Sequence, residues 1–324
     1  NVIINGAMNV AQRATSATGL GSSDPSYQTL DRFRMNIGGT SAGRFTMAQD
    51  SSAPEGFANS LKLSCTTADT SIAADELLSL QQRIEGQNLQ MFAKGTTSAK
   101  PYAVSFYVKG NASATYTCEL EDGDNSRRVA KEFSVTTDWA RVELSFPKDT
   151  TGAFDDDNAL SLSLNIFLHG GSNFTSGTFS ANTWESISNT TRLSDSQTSF
   201  FDSTDRTFFI TGVQLEVGQN PTSFEHEPFE RTLAKCQRYF MTVARTRGSG
   251  NRDALYNNCA FSAVLPVEMR TGPSCTKIEV GTAYNWSNFQ FVNVNKLHVG
   301  GLVTIDSADG YWYFNDGFEA EAEL

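Results

Sequence analysis

Apolar and polar residues alternate over many short segments in the first two thirds of this chain. In the segment 103–109, Val104, Phe106 and Val108 fall on one face of an extended backbone, and the residues between them fall on the other. The segment 160–168 has leucine or isoleucine at every second position. A period of two is typical of a strand with one buried face. These segments therefore predict β-strands whose apolar sides share a core.

The last strong segment of this kind is 208–218, where we expect Phe209, Val213, Leu215 and Val217 to face the same side. Turn-rich stretches such as GDNS, KDTTGAFDDDN and HGGSNFTSG separate the predicted strands, and no helical pattern lies between them. Short strands joined in this way indicate antiparallel sheets packed face to face. The pattern predicts an all-β fold with a jelly-roll β-sandwich over residues 1–222.

The segment 228–240 breaks the period of two. Phe229, Leu233, Cys236 and Phe240 recur there at helical spacing, with acidic residues at the start and basic residues at the end. It predicts one short helix of about three turns.

The helix divides the chain into three predicted parts. A linking helix occupies 223–241, after the sandwich, and alternating segments resume in 242–324. We therefore predict a smaller C-terminal β-sandwich module for 242–324.

Charge and cysteine content exclude several classes of partner. The chain has 36 acidic and 25 basic residues, and its net charge of -11 would repel nucleic-acid phosphates and anionic bilayers. It has no basic cluster, no bilayer-spanning apolar run and no signal-peptide pattern, so we expect a soluble protein without nucleic-acid or membrane partners. Five cysteines without a CxxC pair suggest reduced, buried thiols and assembly in a reducing cytoplasm.

Motifs for metal binding and catalysis are weak. The stretch 122–126, DGDNS, begins like a calcium loop, but Arg127 and Phe133 stand where an EF-hand needs Gly and Glu. The acidic stretch 155–158 is interpreted as a solvated loop in preference to a structural calcium site. We find no zinc spacing, nucleophile elbow or phosphate loop, and we predict no metal, no cofactor and no catalytic residue.

The three histidines give no acid–base pair at this stage. His226 lies between two glutamates, but neighbouring side chains of an extended segment point to opposite sides. His169 and His298 lie beside glycines at predicted strand ends, without visible partners.

Aromatic residues near polar turns are the candidate ligand-binding groups, because sugar rings stack on flat side chains. The candidates are Tyr284, Trp286, Tyr311, Trp312 and Tyr313. The alternative is that these rings fill the core or a subunit interface of the C-terminal module. Trp139 and Trp184 are interpreted as core or corner residues.

Three stretches resemble virion structural proteins of tailed bacteriophages, in particular tail-fibre or receptor-binding proteins of marine and cyanobacterial phages. They are NVIINGAMNVAQRAT with DRF from Asp31, FFITGVQLEVG leading into PTSFEHEPFERTLAKCQRYF, and the closing GFEAEAEL. The central part, from PYAVSFYVKG through TTDWARVELSF to TGVQLEVG, also resembles jelly-roll carbohydrate-binding modules. That resemblance implies a fold and a glycan as ligand.

The phage resemblance implies a homotrimer on the virion tail, made in the host cytoplasm and contacting other tail proteins and host surface polysaccharide. In such a trimer the linking helix would pack near the junction between modules. We expect its polar face, Arg231, Lys235 and Arg238, to pair with acids across an interface.

Two other functions remain open at this point. One is a capsid decoration, tail adaptor or cement protein without receptor binding. The other is a carbohydrate-active enzyme that uses the jelly roll as its binding module. The absence of catalytic motifs favours a protein that is not an enzyme.

Overall fold

The computed structural model describes residues 1–22, 26–251, 258–278, 286–305 and 311–324, with the backbone alone at 248, 250, 251, 258, 259, 311, 312 and 314. The chain forms two compact units, unit 1 from Asn1–Phe229 with Leu324 and unit 2 from Glu230–Glu323. The division falls within the segment 223–241, which the sequence assigned to the linking helix.

Unit 1 contains twelve strands among its described residues. They are β1 Ser16–Leu20, β2 Arg34–Gly38, β3 Arg44–Asp50, β4 Ser60–Thr67, β5 Leu77–Glu85, β6 Tyr102–Gly110, β7 Ala114–Asp122, β8 Arg127–Val135, β9 Ala140–Phe146, β10 Leu160–Gly170, β11 Glu185–Ser186 and β12 Thr207–Val217. A one-turn α1, Ser172–Thr175, follows β10. Three 3₁₀ turns lie at Gly86–Asn88, Gln90–Phe92 and Asn189–Thr191.

These strands form two six-stranded antiparallel sheets. Sheet A has the order β1-β3-β4-β12-β6-β9, and sheet B has the order β11-β8-β7-β10-β5-β2. Most neighbours in a sheet are distant in sequence, as in a Greek-key or jelly-roll sandwich. The predicted all-β jelly-roll class is confirmed.

The alternating segments build the core between the two sheets, as predicted. Val104, Phe106 and Val108 of β6 are fully buried in the core cluster. Leu162 and Leu164 of β10 reach the same cluster from sheet B. The residues between them point away from the core because side chains alternate along a strand.

The predicted alignment of β12 is wrong, and a bulge explains why. Pairing of β12 with β6 shifts register between Thr211 and Gln214, and Gly212 adopts a φ of 62°. An extra residue in one strand reverses the alternation beyond it. The β12 residues in the core cluster are Phe208, Ile210, Val213 and Leu215. Phe209 therefore lies on the outer face of sheet A, and Val217 is exposed.

The connection 171–206 between β10 and β12 packs on sheet B. Leu193 and Phe174 from this connection form a small apolar cluster with Leu77 and Phe167 of the sheet. Below, 171–206 is called the covering segment. Sheet B is therefore packed on both faces where the covering segment lies.

Unit 2 contains a helix, apart from its first residue Phe229, and six strands among its described residues. They are α2 Phe229–Gln237, β13 Phe240–Asn251, β14 Asn258–Val264, β15 Ser274–Ile278, β16 Trp286–Asn295, β17 His298–Ile305 and β18 Tyr311–Glu321. The strands form two three-stranded sheets, β13-β18-β15 and β14-β17-β16. A core around Met241, Met269 and Phe318 lies in this unit. The predicted short helix and smaller β module are confirmed, but the helix ends at Gln237, and Phe240, which was expected at helical spacing, begins β13.

Cys65, Cys118, Cys236 and Cys275 are free thiols, and the side chain of Cys259 lies outside the described part. None of the helices within the described ranges has the length and apolar character to cross a bilayer.

Candidate functional site

A row of lysine and aromatic side chains crosses the outer face of sheet A. Phe209 of β12 pairs with Lys62 of β4 on one side and with Lys109 of β6 on the other. Trp139, directly before β9, continues the row, with its ring centroid 6.1 Å from that of Phe209. We call Lys62, Phe209, Lys109 and Trp139 the aromatic-lysine row.

Both lysines of the row contact its rings. The Lys109 ammonium lies 4.9 Å from the Phe209 centroid and 5.5 Å from the Trp139 centroid. The Lys62 ammonium lies 5.2 Å from the Phe209 centroid. Cation–π contacts of this kind hold a long, flexible side chain in place at about 0.5–1 kcal/mol each on a surface.

A second group of rings adjoins the row. Phe57 lies 5.3 Å from Tyr107, 5.0 Å from Phe224 and 5.1 Å from His226, measured between ring centroids. Gly212 lies directly against these rings, since a Cβ at Gly212 would meet the rings of Phe57 and Tyr107 at 2.8 and 2.9 Å. We call Phe57, Tyr107, Phe224 and His226 the ring cluster.

The row and the ring cluster form one continuous surface. Tyr107 and Lys109 are two residues apart on β6, which places their side chains about 7 Å apart on the same face. Trp139 and Tyr107 are half-buried and His226 is exposed, so the rings remain accessible in part. Half-exposed rings beside fixed hydrogen-bond donors can stack against a sugar ring and bind its hydroxyl groups.

The outer face of sheet B has a different construction. Glu119, Asn165, Gln81 and Arg34 occupy one row across β7, β10, β5 and β2. Asn165 Nδ2 donates to Glu119 Oε1 at 3.0 Å, Gln81 Nε2 donates to Asn165 Oδ1 at 2.8 Å, and Arg34 Nη1 donates to Gln81 Oε1 at 3.1 Å. We call these four side chains the polar ladder. All four are buried.

Two arginines hold the covering segment against this face. Arg192 Nη2 lies 2.6 Å from Glu119 Oε1 and also pairs with Glu121. Arg128 Nη2 lies 2.6 Å from Glu185 Oε1, and its Nη1 lies 3.9 Å from Glu119. Burial raises the pKa of Glu121, although Arg192 opposes that shift. The ladder's polar groups bond mainly to one another and to Arg192, which leaves few groups for a ligand.

Lys94 of unit 1 is a buried lysine with two carboxylate partners. The Lys94 ammonium lies 2.6 Å from Asp122 Oδ2 and 3.2 Å from Asp149 Oδ2, and it donates to the carbonyl oxygens of Thr151 and Gly152 at 2.7 and 2.8 Å. Burial would raise the pKa of Asp149, but hydrogen bonds from Arg127, Thr151 and Lys94 outweigh it and leave the pKa below its usual value. The carboxylate that begins the calcium-like stretch 122–126 therefore binds an internal ammonium group.

His169 has partners that sequence inspection missed. Its Nδ1 lies 2.8 Å from Ser199 Oγ, and its Nε2 lies 3.0 Å from Glu76 Oε2. Ser199 Oγ also accepts the backbone N–H of Phe201 at 3.0 Å. Burial lowers the pKa of His169, with Glu76 acting in the opposite direction. The network ties the covering segment to the start of β5, and we interpret it as structural because its hydroxyl oxygen is engaged.

The described ranges contain no group of three or more His, Cys, Asp or Glu side chains arranged to hold a metal ion.

The sequence-predicted ligand residues lie in unit 2. Trp286 is half-buried, packs beside Val303 and Ile305, and has the Lys277 ammonium 4.7 Å from its ring centroid. Tyr313 is half-buried on β18. Tyr284 lies outside the described residues, as do the side chains of Tyr311 and Trp312. A ligand at these residues stays a prediction.

The predicted interface residues lie on or directly after α2. Arg231 is exposed, whereas Lys235 and Arg238 are half-buried. The helix is fixed within unit 2 by the buried Cys236 and Tyr239, and Tyr239 accepts the N–H of Ala322 at 2.7 Å. Subunit pairing through the three basic residues stays a prediction.

The aromatic-lysine row was missed for identifiable reasons. Trp139 was interpreted as a core or corner residue, and Phe209 was placed in the core because the bulge in β12 was not recognised. A usable signal was present at Lys109, which the alternation already placed outside the core beside Tyr107.

No family model and no curated protein matches the chain. Among solved structures, it is similar to a family 11 carbohydrate-binding module of Clostridium thermocellum in complex with a β-1,3-1,4-mixed-linked tetrasaccharide, with 11% identity, 66% of this chain and 99% of that chain covered, and a TM-score of 0.31. It is also similar to TmCBM61 in complex with β-1,4-galactotriose, with 10% identity, 67% and 99% covered, and a TM-score of 0.33.

A third similar structure is the enzymatically active domain of tailspike protein 4 of bacteriophage CBA120. The identity is 12%, the TM-score is 0.33, and the match covers 67% of this chain but 21% of that one. Nothing about the ligand or activity of this chain follows from similarities of this size.

Proposed function

We propose that this chain is a non-catalytic glycan-binding protein that attaches a phage tail to the host surface, as a fibre assembled from three copies. The observation that carries the glycan-binding part is the aromatic-lysine row on the outer face of sheet A. The phage and trimer parts are supported by the resemblance of the opening, central and closing stretches to phage tail-fibre proteins.

The row has the physical requirements of a sugar-binding surface. Trp139 offers part of a large flat ring at the surface, and Phe209 packs against it edge to face. Lys109 supplies ammonium donors whose position is fixed by two rings and by Ser52 Oγ at 3.0 Å. Fixed donors lose little conformational entropy when a ligand binds, which favours affinity.

Trp139 and Lys109 are each only half-exposed, so one copy would bind a glycan weakly. Three copies on one fibre, binding a surface with many identical glycans, would raise the overall affinity by about 10²–10⁴ without any new contact. This is the physical reason to connect a weak sugar site with a trimeric attachment protein.

The test compares two tryptophans of unit 1. Trp139→Ala removes the exposed ring of the row, and we expect glycan binding to fall by at least about tenfold. Trp184→Ala is the matched control, since Trp184 donates to the carbonyl of Pro147 at 2.7 Å and packs beside the core. This control should lose stability and keep binding. Glycan-array binding and thermal unfolding of both variants give the two readouts.

Five results would contradict parts of the proposal. Absence of glycan binding by the folded wild-type chain, or unchanged binding by Trp139→Ala, would reject the glycan site. A monomer in light scattering at low and moderate salt would remove the trimer, and failure of the purified chain to compete with phage adsorption would remove the attachment role. Release of soluble oligosaccharide from host polysaccharide would reject the non-catalytic assignment.

A further inference from the structure

The lysines of unit 1 differ in how their charge is balanced. Lys94 is buried between two carboxylates and two carbonyl oxygens. Lys109 has no carboxylate within 4 Å among the side chains that the structure describes, and its polar contact is the hydroxyl of Ser52. Its ammonium is nevertheless shielded from water on the side of Phe209 and Trp139. A partly desolvated ammonium without a counter-ion is a ready donor for an anionic ligand.

Lys62 adds a second positive charge on the same ring. Its ammonium and that of Lys109 lie 5.2 and 4.9 Å from the Phe209 centroid, and Asp50 Oδ2 lies 3.2 Å from Lys62. One carboxylate thus neutralises one of the two ammonium groups that flank Phe209. A bound anion beside Lys109 would complete the charge balance of the row.

We propose that the glycan bound by the row is acidic, carrying a uronate carboxylate or a sulfate ester beside Lys109 while a sugar ring stacks on Trp139. This inference rests on the glycan-binding function proposed above. A neutral sugar could stack on Trp139 equally well, but its hydroxyl groups would leave the Lys109 charge uncompensated. Hydrogen bonds between ionised partners are roughly twice as strong as those between neutral groups.

The overall charge of the chain limits the size of the effect. The net charge of -11 repels polyanions at long range, but at physiological salt charges more than about 8 Å apart are largely screened. Nearby acids also count, namely Asp50, the exposed Asp138 and Glu143, although Glu143 Oε1 is paired with Arg141 at 2.6 Å. We therefore expect a preference of about tenfold for the acidic glycan, which corresponds to about 1.4 kcal/mol.

The experiment starts from a glycan array that carries neutral, uronate-containing and sulfated members. The best acidic ligand is then titrated beside a matched neutral form, the methyl ester of a uronate or the desulfated sugar. The expected result is about tenfold tighter binding of the acidic form. If esterification of the uronate abolishes this preference, the recognised group is a carboxylate; if desulfation abolishes it, the group is a sulfate.

Two variants separate the charge from the ring. Lys109→Gln should weaken the acidic form about tenfold more than the neutral form, so that the preference disappears, and Lys148→Gln, at an exposed lysine elsewhere in unit 1, should change neither affinity. Equal binding of both forms by the wild-type chain, or an unchanged preference in Lys109→Gln, would overturn the inference and leave glycan binding intact. If no array member binds the folded chain, the proposed function fails and this inference fails with it.

Discussion

The two outer faces of the unit 1 sandwich arise from the same alternation of side chains but reach different end states. On sheet B the outward residues are polar, and they bond to one another and to the covering segment. On sheet A the outward residues include rings and lysines that remain in part accessible. The difference teaches that an outward position becomes structural where a connection buries it, and stays available for recognition where, as at Trp139 and Lys109, its side chain is only half-buried.

The charges show the same contrast. Glu119 on sheet B is fully buried and lies near two arginines, whereas the Glu143 side chain on sheet A is 51% exposed and pairs with Arg141. Lys94 is enclosed by oxygens, whereas Lys109 lies between rings. Removing one partner of a buried ion pair strongly destabilises the fold, whereas an exposed ion pair contributes little to stability. Removing an enclosed charge, such as Lys94 or Glu119, should therefore lower the free energy of unfolding much more than removing its exposed counterpart on sheet A.

The largest expected effect on stability comes from removing Lys94, with Lys109 as the comparison. Lys94→Met leaves the buried carboxylates of Asp122 and Asp149 without their ammonium partner, and we expect the free energy of unfolding to fall by about 5 kcal/mol, the upper end for a broken buried pair. Lys109→Met, the control, should lose at most about 1 kcal/mol. Urea unfolding of both variants makes the comparison. Similar losses in the two would mean that the row is as structural as the buried lysine.

A second contrast compares the two glutamates. Glu119→Ala removes one carboxylate partner from Arg192 and Arg128, which keep Glu121 and Glu185, and takes an acceptor from Asn165, so we expect a loss of about 3 kcal/mol, the lower end for a broken buried pair. Glu143→Ala should change stability by about 0 to 1 kcal/mol. Thermal and urea unfolding measure both. A small loss for Glu119→Ala would show that the covering segment does not depend on the ladder.

The smallest effect is a pH dependence at the covering segment. The pKa of His169 is lowered in the folded chain, so below about pH 6.5 the unfolded chain binds a proton that the folded chain refuses. Stability should therefore fall as the pH drops from 7 to 5, by at most about 1.4 kcal/mol per pH unit. His169→Gln should lack this contribution, while Glu76 and Asp69, the two carboxylates whose charge acts on His169, are left in place. Parallel stability curves for the two proteins over this range would refute the assignment.

Local pattern was sufficient to predict strands such as β6, β10 and β12 and a helix that contains Phe229–Gln237, but it specified none of the strands β1 to β5. These elements depend on side-chain periods of two and 3.6, which are visible in a few consecutive residues. The alternation in 103–109 even placed Lys109 and Tyr107 on the correct face.

The site itself depends on pairings that no local pattern contains. Lys62, Phe209 and Lys109 meet because β4, β12 and β6 are neighbours in sheet A, although they lie far apart in sequence. Lys94 finds Asp122 and Asp149 in the same way, through loops whose ends meet only in the folded chain. One partner of His169, Ser199, comes from a long connection with little period, and the other, Glu76, directly precedes β5. Long-range contacts of this kind require the topology before the residues can be interpreted.

The bulge at Gly212 has a consequence for how this surface could change over time. One additional residue in β12 places Phe209 on the opposite face from Val213 and Leu215. Depending on that bulge, the same sequence segment can therefore place an aromatic ring in the core or on the outer face. Inserting or deleting one residue in a strand would change which side chains lie on the exposed face without substituting any of them. Insertions and deletions, and not only substitutions, are therefore a route by which such a protein could acquire or lose a ligand.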